Sequence, residues 1–88
     1  MGAESTAVQK TTTLTLTDLK AVGDRGRIIT ISGDDGVAIR LMEMGLTEEE
    51  EISVVGFSPF GDPIEFAIRG YRISLRASEA QRVTVTRI

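Results

Sequence analysis

The 88-residue chain contains no cysteine and no histidine. The first absence removes disulfides, thiolate nucleophiles and zinc sites of the usual kind. The second removes Ser-His and Cys-His pairs and the commonest general base. A transition metal would find only carboxylates, hydroxyls, thioethers and backbone. Tryptophan is absent too, and the aromatics are three Phe and one Tyr, so a core must be aliphatic. No apolar run approaches the roughly 20 residues that span a bilayer, which argues against direct membrane insertion. No basic region followed by an apolar core opens the chain, so a secretory signal is not expected and a cytoplasmic location is. Positive charge is in short supply, with 10 Lys and Arg against 13 Asp and Glu, a net of −3. Nucleic-acid binders carry a basic surplus, so nucleic acid is not an expected partner.

What remains has room for one domain. Residues 1–13 are rich in Thr, Ser, Ala and Gln without a buried-face pattern and read as a flexible tail. Residues 14–88 carry the fold. Leu16 and Leu19 lie on one side of a short helical turn that Thr15 or Thr17 can cap and Gly23 ends. Ile28-Ile29-Thr30-Ile31 is a β-branched run and reads as the first strand. Val37 to Met44 is the main helix: Val37, Leu41 and Met44 share one narrow face, Asp34 or Asp35 can cap its start, and Gly45 stops it. Ile39 and Met42 lie well off that face.

Strand patterns follow at Ile52–Phe57, Ile64–Ile68, Tyr71–Leu75 and Arg82–Thr86. Arg69-Gly70 links two of them as a tight hairpin turn. Ser58 to Pro63 is a turn-rich corner, and Ala77 to Ala80 reads as one helical turn. About five short strands with one main helix predict a mainly β fold, a small closed barrel that leaves no edge exposed. It would enclose Ile28 or Ile29, Leu41, Ile52, Val54, Phe66, Ile73 and Val85.

The order of motifs is specific. Arg40-Leu41-x-x-Met44-Gly45 precedes Pro59-Phe60-Gly61-Asp62-Pro63-Ile64, which precedes Leu75-Arg76-x-x-Glu79-Ala80. From about Leu16 to Thr86 this succession resembles the FeoA family of bacterial ferrous-iron uptake. The same fold occurs as the C-terminal SH3-like domain of DtxR-type iron-dependent repressors. The resemblance implies an SH3-like barrel, no catalysis, no cofactor, and association with FeoB, a membrane GTPase transporter that would recruit the protein to the inner face of the membrane. The alternative it implies is a free-standing SH3-like domain acting with a DtxR-type repressor. One departure stands out. The family usually has Gly in the turn before the strand beginning at Ile52, where this chain has Glu48-Glu49. Glu takes positive φ at greater cost than Gly, which predicts a different turn type or a longer helical extension.

Candidate partner-binding residues are Ile39, Arg40 and Met42 on the helix and Phe57 and Phe60 at the corner. Exposed aromatics anchor interfaces, although burial of at least one of the two Phe is the expectation. Arg40 is expected to serve structure first, pairing with a carboxylate or a loop carbonyl. Glu48 to Glu51 offer oxygen ligands to Fe²⁺, but consecutive carboxylates diverge on helix or strand, so a solvated acidic face is expected and no metal site. Asp34, Asp35 and Asp62 are accounted for by caps and turns. Arg76 and Glu79 are expected to pair across the short helix. A weak homo-oligomer through an exposed hairpin edge is a further expectation.

Overall fold

The structure, a computed structural model, describes residues 13–88. The expected tail lies outside those residues, save Thr13. Six strands form one antiparallel sheet: β1 (Leu14–Thr15), β2 (Arg25–Ile31), β3 (Glu51–Phe57), β4 (Ile64–Ile68), β5 (Tyr71–Leu75) and β6 (Val83–Arg87). Their order across the sheet is β1-β6-β2-β3-β4-β5. Helix α1 (Gly36–Glu43) lies between β2 and β3, and the short helix α2 (Ala77–Ala80) joins β5 to β6. A 3-10 turn at Leu16–Asp18 follows β1.

The alternating patterns place one face of each strand inside. Ile28, Ile52, Val54, Ile64, Phe66, Ile68, Leu75, Val83 and Val85 are buried with Leu16, Leu19, Leu41, Leu46 and Ala80 in one cluster. Ile73, expected inside, is only partly buried. The choice between Ile28 and Ile29 is settled by the ladder. Ile28 pairs with Val85 and Thr30 with Thr84, so Ile29 is an extra, bulged residue and points to solvent. Among the described residues no polar or charged side chain is buried, so the core needs no internal polar partners.

The Arg69-Gly70 link is a two-residue hairpin turn between Ile68 and Tyr71. Both linking residues have positive φ, 53° and 86°, the arrangement of a type I′ turn whose twist matches the strands.

Two expectations are corrected. The ladder does not close into a barrel, because β1 and β5 are not paired with each other. Helices bridge the gap instead. Helix α2 runs from β5, at one end of the sheet, to β6, the neighbour of β1 at the other, and α1 is bonded to β5 and to the residue that precedes β6. The Tyr71 hydroxyl at the start of β5 donates to the Met44 carbonyl at the C-terminal end of α1 (2.5 Å). The Arg82 guanidinium, just before β6, donates to both oxygens of Asp35, the α1 N-cap (2.9 and 2.8 Å). Second, the connector before β3 adopts neither another turn type without a left-handed residue nor a longer helix. Glu49 sits at φ 75°, the conformation that Gly takes cheaply. Its N–H donates to the Ile28 carbonyl (2.8 Å), which fixes the turn against β2.

Gly45 is required twice. Its φ is 101°, and a Cβ there would come within 2.3 Å of the Tyr71 Oη. Gly45→Ala should therefore destabilise the fold by about 2 kcal/mol, the left-handed cost plus the displaced hydrogen bond. Tyr71→Phe alone should cost about 1 kcal/mol. The double variant should be less destabilised than the sum of the two, as urea melts of all four proteins would show.

Candidate interaction surface

Helix α1 carries three of the five candidate residues. Its inner face is Ala38 and Leu41, fully buried, with Val37 and Met44 half-buried beside them. This face is the expected one, widened by Ala38. Ile39 and Met42, three apart and hence neighbours on the helix surface, are 51% and 46% exposed. They belong to a surface patch and not to a second packed layer.

Arg40 serves structure, as expected. Its guanidinium pairs with the Glu79 carboxylate on α2. The expected Arg76–Glu79 ion pair is not the one formed. Glu79 uses its other oxygen to accept the backbone N–H of Arg76 (2.9 Å), which caps α2. One carboxylate thereby ends α2 and holds α1.

Phe57 and Phe60 correct the expectation that one of them is buried. Phe57 is 40% exposed and Phe60 is 95% exposed; the core aromatic is Phe66 on β4. The corner that carries Phe60 is held from inside. Gly61 N–H donates to the Ser58 carbonyl (2.8 Å), and Asp62 N–H donates to the Ser58 Oγ (3.0 Å). The Asp62 carboxylate accepts from Ala77 N–H at the start of α2 (2.9 Å). Asp62 is thus a shaping residue. The helix set and the corner set both reach α2, through Glu79 and Ala77. Among the described residues no hydrogen bond or ion pair joins the two sets directly.

A cleft of about 390 Å³ opens beside Met42, over Ile28, Ile31 and Leu46, with Thr47 and Glu48 at its mouth. A smaller groove of about 200 Å³ runs between Phe57 and Pro63 over Gly56. The four consecutive glutamates diverge as expected. Glu50 pairs with Arg69 (2.9 Å) and Glu51 with Arg25 (2.8 Å). Among the described residues no group of three or more potential metal ligands converges.

Residues 14–87 match the family model described as the FeoA domain. The chain belongs to the FeoA family. A relative in Porphyromonas gingivalis, the Fe(2+) transport protein A/Fe(2+) transporter FeoB fusion protein, is 33% identical over 63 residues. That match covers 72% of this chain and 8% of the fusion protein. The solution structure of a FeoA-like protein from Clostridium acetobutylicum superposes with a TM-score of 0.81 at 33% identity, covering 89% of this chain and 90% of that one. The FeoA of Stenotrophomonas maltophilia, solved with zinc and described as a prokaryotic SH3 domain protein, gives 0.71 at 32% identity, covering 82% and 88%. The fold is therefore mainly β and SH3-like, as this FeoA-family sequence predicts. Among the described residues no helix is long and apolar enough to cross a membrane.

Sequence reading missed the pairings that hold α1 in place. Tyr71 lies 27 residues from Met44, Arg40 lies 39 from Glu79, and Arg82 lies 47 from Asp35. No local spacing signals such pairs.

The Arg82 guanidinium beside Asp35, helped by the Ala38 N–H (3.2 Å), holds the Asp35 carboxyl well below the usual carboxylate range. A carboxyl depressed in the folded state stabilises above its unfolded pKa, near 3.8, and loses that contribution as pH falls through the folded value. Asp35→Asn keeps the cap and removes the charge. Urea midpoints should place the variant below wild type at neutral pH, with the gap shrinking as pH falls below about 4.

Glu49 yields a prediction of opposite sign. A non-Gly left-handed residue costs about 1–2 kcal/mol, whereas Gly costs about 0.5–1 kcal/mol in chain entropy. Glu49→Gly should raise stability by about 0.5–1 kcal/mol, read as a higher urea midpoint.

Proposed function

We propose that this protein is a non-catalytic accessory protein of ferrous-iron uptake that acts at the cytoplasmic side of the membrane. It binds and modulates a FeoB-like membrane GTPase transporter through the outer side of α1 and the Phe60 corner.

The observation that carries this reading is the Porphyromonas gingivalis relative, in which the matching segment shares one chain with a FeoB transporter. Tethering gives two modules a high effective concentration and is useful where they meet. The surface adds support. Ile39 and Met42 form an apolar pair on a helix anchored at both ends and in the middle, so docking against them orders little new structure. Phe60 stands almost free of its own fold, on a corner closed by hydrogen bonds among Ser58, Gly61, Asp62, Pro63 and Ala77. The backbone beneath the ring is held, so docking has only that one side chain to order there.

Wild-type protein should be captured by FeoB solubilised in detergent, or by its cytosolic GTPase domain. Met42→Asp and Phe60→Asp should each weaken capture at least about ten-fold, the scale of a lost anchor residue. Thermal midpoints should stay unchanged, because both side chains project outward. No capture of the wild-type protein by whole FeoB would contradict the proposal. A large drop in midpoint would instead assign these side chains to packing.

A further inference from the structure

We infer that the cleft beside Met42 seats a basic, apolar segment of a partner protein. Aliphatic side chains would lie against Ile28, Leu46 and Met42, and Lys or Arg would lie at Glu48 and Glu49. The inference builds on the reading of this chain as an interaction module and adds the chemistry of what it binds.

The cleft has the size and lining of a ligand site: about 390 Å³, a mainly apolar surface and few polar groups at the mouth. Ile28 and Leu46 are core residues whose edges form its floor. Met42 forms a wall with an exposed, flexible thioether that can remodel around a guest. A rigid apolar floor and one adaptable wall suit aliphatic side chains.

The mouth is acidic, and among the described residues that charge is uncompensated. Glu50 and Glu51 each have an arginine partner. Glu43, Glu48 and Glu49 have no ion-pair partner among the described residues. Glu48 lines the cleft, and Glu49 is next to it in the chain. The Glu49 carboxylate contributes no described hydrogen bond or ion pair to the fold. The bond from its N–H to Ile28 is one that Gly would make equally well, at a lower conformational cost. Among the described residues the fold gains no polar contact from this side chain.

The charge narrows the choice of guest. Anionic lipid and nucleic acid are repelled by this mouth. A divalent cation would need three converging ligands, and the described residues offer no such group. A polypeptide that combines cations with aliphatic side chains satisfies both the floor and the rim.

The test titrates the full-length, ¹⁵N-labelled protein with three synthetic heptapeptides, one alternating Lys and Leu, one Glu and Leu, one Lys and Ser. The Lys/Leu peptide should shift the amides of Ile28, Ile31, Met42, Leu46 and Glu48. The other two should leave those amides in place, and the Lys/Leu response should weaken with added salt. Glu48→Gln combined with Glu49→Gly should weaken Lys/Leu binding about ten-fold. A thermal midpoint of the double variant at or above that of wild type, as expected from Glu49→Gly, would exclude unfolding as the cause of that loss. An equal response to Glu/Leu or to Lys/Ser would overturn the inference. So would shifts centred on Phe57 and Phe60, or cleft shifts produced by raising the protein concentration alone, which would mark a second copy as the occupant. Failure to capture FeoB, with the Lys/Leu response intact, overturns the FeoB reading and leaves the cleft assignment standing. Capture of FeoB with no Lys/Leu response does the reverse.

Discussion

Everything outside the sheet depends on how α1 is held across the gap between its two ends. Three polar contacts do this, one near each end of the helix and one in the middle. Arg82 grips the Asp35 cap with two hydrogen bonds, Glu79 takes Arg40, and the Tyr71 hydroxyl closes on the Met44 carbonyl. Each joins residues far apart in the chain, and they end on β5, on α2 and on Arg82 in the link from α2 to β6. Isolated surface ion pairs contribute little. These matter because of where they sit. Under the helix, Ala38 and Leu41 enter the common core, and burial of such side chains supplies most of the attraction. The polar contacts fix the orientation at which that burial occurs.

That orientation decides which side chains of α1 meet solvent. With Ala38 and Leu41 inward, Ile39 turns to solvent, and Met42, one turn on from Ala38, lies at the flank of the buried face, 46% exposed. The same placement leaves Met42 at the wall of the cleft over Ile28 and Leu46. The connector that leaves α1 brings Glu48 to the cleft, with Glu49 next in the chain and its N–H tied to the Ile28 carbonyl. Helix docking, cleft shape and rim charge therefore follow from one arrangement. On the proposed reading, the recognition chemistry of this FeoA-family chain lies on this preformed surface.

Much of the fold is legible in the sequence. The period-two runs at Ile64–Ile68 and Tyr71–Leu75 have the expected bounds, and Arg69-Gly70 turns between them as two positive-φ residues should. These are local signals, set by alternation and by turn chemistry. The two-residue β1 is too short to leave a pattern, and its pairing with Val85 and Thr84 is purely tertiary. Closure of the sheet also escapes sequence reading, since helices can bridge a gap as well as a strand can. Glu49 shows propensity overridden by context: a bond to β2 holds a poor left-handed residue where Gly would rest easily. The exposure of Phe57 and Phe60 defeats the rule that aromatics go inside, because the corner between them turns away from the core.

The central claim is that a FeoB-like partner is recognised on the outer side of α1 and its adjoining cleft. Methyl-resolved NMR of the Ile- and Met-labelled protein, titrated with the cytosolic GTPase domain of FeoB, tests it most directly. Binding there should perturb Ile39 and Met42 first, with Ile31 at the cleft following. The inner-facing Ile52 and Ile68 should hold their positions. Perturbation confined to methyls remote from α1, or a saturating interaction that leaves Ile39 and Met42 unmoved, would contradict it.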